Sequence, residues 1–292
     1  MKRLAISMCL LLCVSAWGQS NKPPLGTQIN WDNLLSRGLI GYWAMTEGSG
    51  PSIADLSGNR GTGTIINAIW AGGKFGSCLS FDGNGDYVSV PDNDLYTFGD
   101  GNVKDKPFSV SVWIFYINLG SANGFISKYN DTDPFNGEWV ISGKITTGQI
   151  YFQLNDNDVF NRMILLGSDS LSTNTWYHVV CTYSGSGLTT GMALYINGKK
   201  DPSPTLTTQN YYAMHNLAAP LEIGATNRTD YPNYMNGLID QVAIYNRELS
   251  ASEVTSLYLS PFGILMKGDE NMALLYKAPV AGSGGQVIMI SE

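Results

Sequence analysis

The chain has 292 residues, of which 33 are glycine, 14% are charged and 11% are aromatic. Many glycines and few charges are typical of short strands joined by tight turns, and they argue against a helical bundle or a coiled coil. The formal net charge of −7 repels phosphate backbones, so nucleic acid is excluded as the expected partner. One two-sheet sandwich with short extensions accounts for this length.

The first residues have the pattern of a secretory signal peptide. Lys2 and Arg3 precede an apolar run from Leu4 to Val14, and small residues follow it. The run is too short for a membrane-spanning helix, which needs about 20 residues. We therefore expect residues 1–18 to be removed and the mature chain to be secreted, without insertion into a membrane.

The rest of the chain predicts many short strands in an all-β fold. Residues 19–37 form a leader with no periodic pattern. The glycine-rich turn at residues 82–86 predicts a hairpin, and so does Asn197 followed by Gly198. The clearest alternation of core-facing and outward-facing residues runs from Phe108 to Tyr116.

A single helix is predicted near the end of the chain. Ser250 and Glu253 have the spacing of a capping box, and the helix should end near Leu259, before Pro261. The remaining residues, 261–292, are predicted to form a short appendage with a flexible Gly/Ser joint.

Seven stretches of the chain match one family pattern in order and spacing. They are residues 41–50 (GYWAMTEGSG), 55–61 (DLSGNRG), 73–83 (GKFGSCLSFDG), 108–113 (FSVSVW), 176–179 (WYHV), 194–199 (LYINGK) and 237–247 (GLIDQVAIYNR). Together they resemble the laminin-G-like family of concanavalin A-like lectins and glucanases. The resemblance implies a two-sheet antiparallel jelly-roll sandwich over residues 38–260, with the one short helix near its C-terminus. The chain has Gln241 where the family usually has a second acid.

The resemblance also implies a structural Ca²⁺, for which Asp55, Asn59 and Asp240 are the predicted ligands. Asp240 shares strand parity with Leu238 and Val242, so its carboxylate should face an apolar surface where a charge must be neutralised or hydrogen-bonded. The alternative is that Asp55 caps its turn and Asp240 accepts backbone amides, without a metal.

Two cysteines remain after the predicted signal peptide, Cys78 and Cys181. Both lie in strand-like runs, where a small buried apolar residue is the simpler interpretation. A disulfide between them is the alternative, and the separation of their Cα atoms decides between the two.

Two segments rich in tyrosine and amide side chains are candidates for ligand binding. Aromatic rings cover the C–H faces of sugars, and Asn, Asp and Arg hydrogen-bond to hydroxyl groups. The alternative is that these tyrosines pack beneath long loops. The candidate residues are Tyr211, Tyr212, Asn227, Arg228, Asp230, Tyr231 and Tyr234.

The sequence favours a secreted recognition or adhesion module over an enzyme. Glu138, Glu222 and Glu248 lack the paired acids that glycoside hydrolysis needs, and His178 lies in a framework strand. We expect the ligand to be a glycan or an extracellular protein. The alternative is a structural subunit of an extracellular assembly, in which the sheet-prone end at 287–290 adds as a strand to a neighbour. A glycan-active enzyme on the same fold is the third hypothesis.

Overall fold

The structure is a computed structural model that describes residues 22–102, 105–120, 123–129, 137–156, 161–226 and 233–265. The predicted signal peptide, residues 1–18, lies outside this range. The strands, in chain order, are β1 (Leu39–Trp43), β2 (Ser52–Ile53), β3 (Gly63–Ile66), β4 (Ile69–Gly72), β5 (Ser77–Asp82), β6 (Tyr87–Val90), β7 (Phe108–Tyr116), β8 (Asn123–Tyr129), β9 (Gly137–Gly143), β10 (Ile150–Asn155), β11 (Arg162–Leu166), β12 (Trp176–Tyr183), β13 (Met192–Ile196), β14 (Lys199–Lys200), β15 (Thr205–Gln209), β16 (Leu221–Ile223), β17 (Ala225–Thr226), β18 (Asn233–Tyr234) and β19 (Asn236–Tyr245).

These strands form two large antiparallel sheets and a small ribbon, which confirms the predicted all-β sandwich. The eight-stranded sheet has the order β14-β13-β12-β7-β19-β5-β4, with β1 also paired to β19. The nine-stranded sheet has the order β15-β11-β10-β9-β8-β16-β6-β3-β2, and β17 pairs with β18 in the ribbon. Neighbours that are distant in the chain, such as β7 and β19, are typical of a jelly roll.

The main core lies between the two sheets. Alternate residues of the central strands point into it, among them Val110, Val112 and Ile114 of β7, as the alternation in the sequence predicts. Trp43 and Trp139 are the largest of its fully buried side chains. Each aromatic side chain of this size removes a large apolar area from water, which favours folding.

A second apolar core covers the outer face of the eight-stranded sheet. The predicted helix, α1 (Ala251–Leu259), has both halves of the capping box between Ser250 and Glu253 and packs Val254 and Leu257 there. Leader residue Ile29 and residues Phe262, Ile264 and Leu265 complete this core with Trp113, Tyr195 and Tyr245 of the sheet. The predicted boundaries at residues 38 and 260 stay predictions, but packing extends past both.

A β-bulge in β19 changes the predicted orientation of Asp240. The pairing with β7 shifts between Asp240 and Val242, and Gln241, at the shift, has a positive φ of 49°. Because the bulge inserts one extra residue, Asp240 no longer shares a face with Val242. Val242 points into the main core, whereas Asp240 pairs with Trp113 on the outer face. The prediction that these two residues share a face is wrong.

Candidate functional site

The outer face of the nine-stranded sheet carries polar side chains, which are buried on its central strands and become exposed towards the edge formed by β15. Phe152 and Leu154 of β10 point into the main core, so Gln153 and Asn155 point outward. Met163 and Leu165 of β11 also point into the main core, so Arg162 and Ile164 point outward. The outward side chains at this edge of the sheet are Tyr151, Gln153, Asn155, Arg162, Ile164, Leu166, Thr205, Thr207 and Gln209.

Hydrogen bonds join these outward side chains along and across the strands. The Tyr151 hydroxyl donates to Gln153 Oε1 at 2.8 Å, and the Gln153 amide donates to Asn155 Oδ1. Arg162 Nε donates to Gln209 Oε1 at 2.9 Å across the pair of β11 and β15. Gln153 and Asn155 are themselves buried, so the accessible donors and acceptors of this group are those of Arg162 and Gln209, which suit hydroxyl groups.

Tyr212 presents its ring at the end of this surface. The residue is 62% exposed, although it is hydrogen-bonded at both its backbone and its hydroxyl. The backbone N–H donates to Asp156 Oδ2 at 3.1 Å, and the hydroxyl donates to the Asn102 carbonyl at 3.1 Å. A ring that is fixed before binding loses little conformational entropy when a ligand stacks on it.

His215 closes the same end of the sheet. Its Nε2 lies 3.0 Å from Asp156 Oδ1, so Asp156 links His215 to Tyr212. Gly101 allows the histidine ring to approach, because a Cβ at this position would lie 2.3 Å from it. We call this group of residues the Tyr212 site: Asn155, Asp156, Arg162, Gln209, Tyr212 and His215.

The neighbouring Tyr211 has a structural role. Its hydroxyl and that of Tyr183 both donate to Asp105 Oδ2, and the Met214 N–H donates to Asp105 Oδ1 at 2.8 Å. Burial raises the pKa of Asp105, while these hydrogen bonds oppose the shift. The prediction that Tyr211 binds a ligand is therefore replaced by the alternative in which it packs beneath a loop.

A buried ion pair anchors the loop that follows Tyr211 and Tyr212 and contains His215 and Leu217. Lys128 Nζ lies 2.7 Å from Glu138 Oε1 and 2.8 Å from Asp92 Oδ1. Glu138 Oε1 also accepts from Thr97 Oγ1 and from the Leu217 N–H, and Lys128 donates to the Leu217 carbonyl. Burial raises the pKa of Glu138 to about 7, against the influence of the ammonium. The pair thus fixes the loop that carries His215 to the sheet.

The predicted tyrosine patch is divided between two ends of the sheet. Tyr234 stacks on Tyr87 with ring centroids 6.4 Å apart, whereas Tyr212 binds Asp156 at the end of β10. The register places Asp156 five residues further along the strand direction than Tyr87 and four strands away, which is on the order of 25 Å. The two tyrosines therefore cannot share a small ligand. The other four predicted residues, Asn227, Arg228, Asp230 and Tyr231, lie outside the described residues.

The predicted Ca²⁺ ligands do not fit a cation. Asp55 accepts backbone N–H groups from Tyr42, Ser57 and Gly61 at 2.9 to 3.0 Å. The Asn59 side chain donates to the Ile40 carbonyl, and Asp240 pairs with Lys22 Nζ at 2.5 Å. The ammonium thus occupies the place of a cation at Asp240. Within the described ranges, no group of three or more His, Cys, Asp and Glu side chains could hold a metal.

The alternative of a disulfide between the two cysteines is also wrong. Cys78 and Cys181 are both free and buried. They lie on β5 and β12, which are separated by β19 and β7, so their Cα atoms are at least about 14 Å apart at the usual strand spacing. A disulfide needs less than about 7 Å. Cys181 faces the main core, which supports its interpretation as a small buried apolar residue.

Sequence reasoning missed Asn155, Arg162 and His215. Gln153 and Asn155 alternate with the apolar Phe152 and Leu154, which is a visible sign of a polar outer face. The place of Arg162 beside Gln209 depends on the pairing of β11 with β15, across 47 residues of chain. The residues next to Arg162 in the sequence contain no information about that pairing.

The fold is similar to that of several solved structures. The binding domain of Paraclostridial Mosquitocidal Protein 1 matches with a TM-score of 0.59 and 22% identity, over 78% of this chain and 53% of that one. Trypanosoma rangeli sialidase in complex with sialic acid matches with a TM-score of 0.56 and 18% identity, over 78% and 33%. The binding domain of botulinum neurotoxin serotype G matches with a TM-score of 0.54 and 19% identity, over 77% and 51%. The chain thus spans about half of each toxin domain and a third of the sialidase chain. At these identities the likeness concerns the fold.

The sequence comparison identifies the family. No curated protein sequence matches the chain. No helix of the described part is long and apolar enough to cross a membrane. The family model of the concanavalin A-like lectin/glucanases superfamily matches residues 82–255, more than half of the chain. The match includes most strands of both sheets, so the chain belongs to the concanavalin A-like lectin/glucanase superfamily.

Proposed function

We propose that this protein is an exported, non-catalytic recognition module that binds a carbohydrate at the Tyr212 site. The observation that supports this most is the state of Tyr212, a residue that is 62% exposed yet hydrogen-bonded at both its backbone and its hydroxyl. An exposed ring beside fixed polar groups is the composition of a sugar subsite.

The chemistry around the ring suits hydroxyl groups better than a peptide. Arg162 has one nitrogen committed to Gln209, and its guanidinium carries further donors. Gln209 is an exposed amide, which can donate to one hydroxyl group and accept from another. Asn155 is buried and contributes through its hydrogen bond with Gln153. This mixture of donors and acceptors can hydrogen-bond to the hydroxyl groups around a sugar ring.

The carboxylate at the site supports binding rather than hydrolysis. Asp156 accepts from the Tyr212 N–H and pairs with His215, so it holds the site together. Glycoside hydrolysis uses two carboxylates on either side of one bond. Glu138, the nearby buried acid, is engaged by Lys128 and Leu217.

A glycan array with matched variants tests this proposal. We expect the mature chain to bind a defined set of glycans, and Tyr212→Ala and Arg162→Ala each to weaken that binding at least about tenfold, the effect of about 1.4 kcal/mol. Tyr212→Phe keeps the ring and should retain most of the binding. Tyr234→Ala, at the far end of the sheet, is the control.

The melting temperature of each variant separates lost binding from lost folding. Unchanged binding by correctly folded Tyr212→Ala and Arg162→Ala would reject this site. Loss of binding in Tyr234→Ala alone would move the site to the other end of the sheet.

A further inference from the structure

We propose that Lys22 and Asp240 condense, with loss of water, to an isopeptide bond that joins the leader to β19. The two reacting groups are in contact, because Lys22 Nζ lies 2.5 Å from Asp240 Oδ1. Lys22 precedes β1, and β19 lies inside the eight-stranded sheet. The bond therefore ties the leader to the interior of that sheet.

The contact places the nitrogen within reach of the carboxyl carbon. A carbonyl carbon lies about 1.23 Å from its oxygen, so Lys22 Nζ is no more than about 3.7 Å from the Asp240 carbon. Reacting atoms about 3–3.5 Å apart are in a near-attack geometry, and groups held in this way reach effective molarities of about 10⁵–10⁸ M. Proximity thus supplies much of what this condensation lacks in dilute solution.

Two backbone carbonyls orient the nitrogen toward Asp240. Lys22 Nζ donates to the Met45 carbonyl at 2.9 Å and to the Ser77 carbonyl at 2.5 Å. An ammonium has three donors, and the third is directed at Asp240. Once that proton is transferred, the two carbonyls retain the remaining N–H groups, so the lone pair takes the direction of the carboxyl group.

The surroundings exclude water from the pair. The side chains of Lys22 and Asp240 are 6% and 0% exposed. Trp113 lies opposite Asp240 in the pairing of β7 with β19, and its ring centroid is 5.0 Å from that of Phe75. A Cβ at Gly73 would lie 3.0 Å from Asp240 Oδ2. Condensation removes two buried charges that are costly to desolvate, and the shielding opposes hydrolysis of the product.

Burial also favours the reactive forms of both groups. It lowers the pKa of Lys22 and raises the pKa of Asp240 to about 6, while the attraction between the two groups opposes both shifts. A neutral amine and a carboxylic acid are the forms that condense. Cys78 is the other nucleophile beside Gly73, but burial raises the pKa of its thiol to about 12. The thiol therefore stays protonated, and the amine is the nucleophile.

The reaction needs no further reactant. Nζ gives one proton to the carboxylate and attacks the carboxyl carbon with its electron pair. A C–N bond forms, and the C–O bond to the protonated oxygen breaks. That oxygen leaves as water with a second proton from Nζ. One ammonium and one carboxylate thus become one neutral amide and one water molecule, without oxidation or reduction.

We assign Glu47 as the carrier of the second proton. Its neighbours in the chain border the pair, because the Met45 carbonyl binds Nζ and a Cβ at Gly48 would lie 3.5 Å from Ser77 Cβ. Glu47 Oε1 accepts from the Ala54 N–H at 2.8 Å. Oε2 is buried and has no hydrogen-bond partner in the described part of the chain. A carboxylate in this state can take a proton from nitrogen and return it to the leaving oxygen.

Intact mass spectrometry of the denatured, mature full-length chain tests the proposal. We expect the mass to be lower than that of the sequence by one water molecule. Proteolysis should release one branched peptide that joins the segment containing Lys22 to the segment containing Asp240. Lys22→Arg is the matched control, because a guanidinium keeps the charge but is never deprotonated, and it should retain the full mass. Cys78→Ala should still lose water, which distinguishes the amide from a thioester.

The full sequence mass in the folded, unaltered chain would overturn the proposal, and this readout requires no variant to fold. Loss of the same water in Lys22→Arg, or a branch at any other pair of residues, would also overturn it. The mass can be followed over time after cell-free synthesis. Glu47→Gln should form the bond at least about tenfold more slowly, and an equal rate would overturn the assignment of Glu47. None of these results depends on glycan binding.

Discussion

The ammonium of Lys22 lies 2.5 Å from Oδ1 of Asp240, and both side chains are almost fully shielded from solvent. Lys22 Nζ also donates to the carbonyls of Met45, at 2.9 Å, and Ser77, at 2.5 Å. The leader thus supplies the charge that Asp240 requires. Burial raises the pKa of Asp240 to about 6, and Lys22 opposes that shift.

Removing the ammonium should destabilise the fold. We expect Lys22→Met to lower the free energy of unfolding by about 3–5 kcal/mol, because it leaves a buried carboxylate without its partner. Urea denaturation at neutral pH measures this loss. Lys106→Met, at an exposed position, is the control, and adding Asp240→Leu to Lys22→Met should recover part of the loss. Equal stability of Lys22→Met and the unaltered chain would contradict this role.

Calcium should have little effect on stability. A ligand that binds the native state raises the melting temperature, and the increase grows with the logarithm of the ligand concentration above its Kd. Because Lys22 neutralises Asp240 and backbone amides saturate Asp55, we expect equal melting temperatures in excess Ca²⁺ and in chelator. A clear increase with Ca²⁺ would restore the metal site that the family resemblance implies.

The sandwich was predictable because its signals are local. Alternation in β7, the capping box at Ser250 and the turn at residues 82–86 each depend on a few adjacent residues. The need for a partner at Asp240 was predictable too, from the cost of burying a charge. The identity of that partner was not predictable, since Lys22 lies more than 200 residues away and in a segment without any periodic pattern.

The candidate site was predictable only in part. Tyr212 stood out as one of several tyrosines beside amides, but its separation from Tyr234 follows from the strand order of the sheet. The extra residue in β19 at Gln241 was equally hidden, because a bulge changes parity without changing composition. Both the separation of the two tyrosines and the bulge depend on pairing between strands that are distant in the chain.

Glu138 should make the fold more stable as the pH falls from about 7 to about 4.5. Burial raises its pKa to about 7 in the folded protein, from an ordinary value of 4.5. The folded state therefore holds this proton more tightly than the unfolded chain does, and protonation favours folding in that interval. The full shift corresponds to about 3 kcal/mol.

Comparison with Glu138→Gln isolates this contribution. The difference in unfolding free energy between the unaltered chain and the variant should move in favour of the unaltered chain by up to about 3 kcal/mol as the pH falls through the interval. Chemical denaturation at a series of pH values measures it. Glu248→Gln, at an exposed position, should show a constant difference. A constant difference for Glu138→Gln as well would show that its pKa is not raised.

His178 should act in the opposite direction. Its ring lies 5.0 Å from that of Trp113 and hydrogen-bonds to Ser111, and burial lowers its pKa to about 3 from 6.5. Below pH 6.5 the unfolded chain takes up a proton that the folded protein refuses, so stability falls by about 1.4 kcal/mol for each pH unit. His178→Gln should remove this slope, whereas Glu138→Gln should steepen the loss of stability in acid. Between pH 4.5 and 6.5 the two effects oppose each other in the unaltered chain. When the free energy of unfolding is plotted against pH, we therefore expect His178→Gln and Glu138→Gln to have slopes of opposite sign. Parallel slopes in the two variants would refute the assignment of either group.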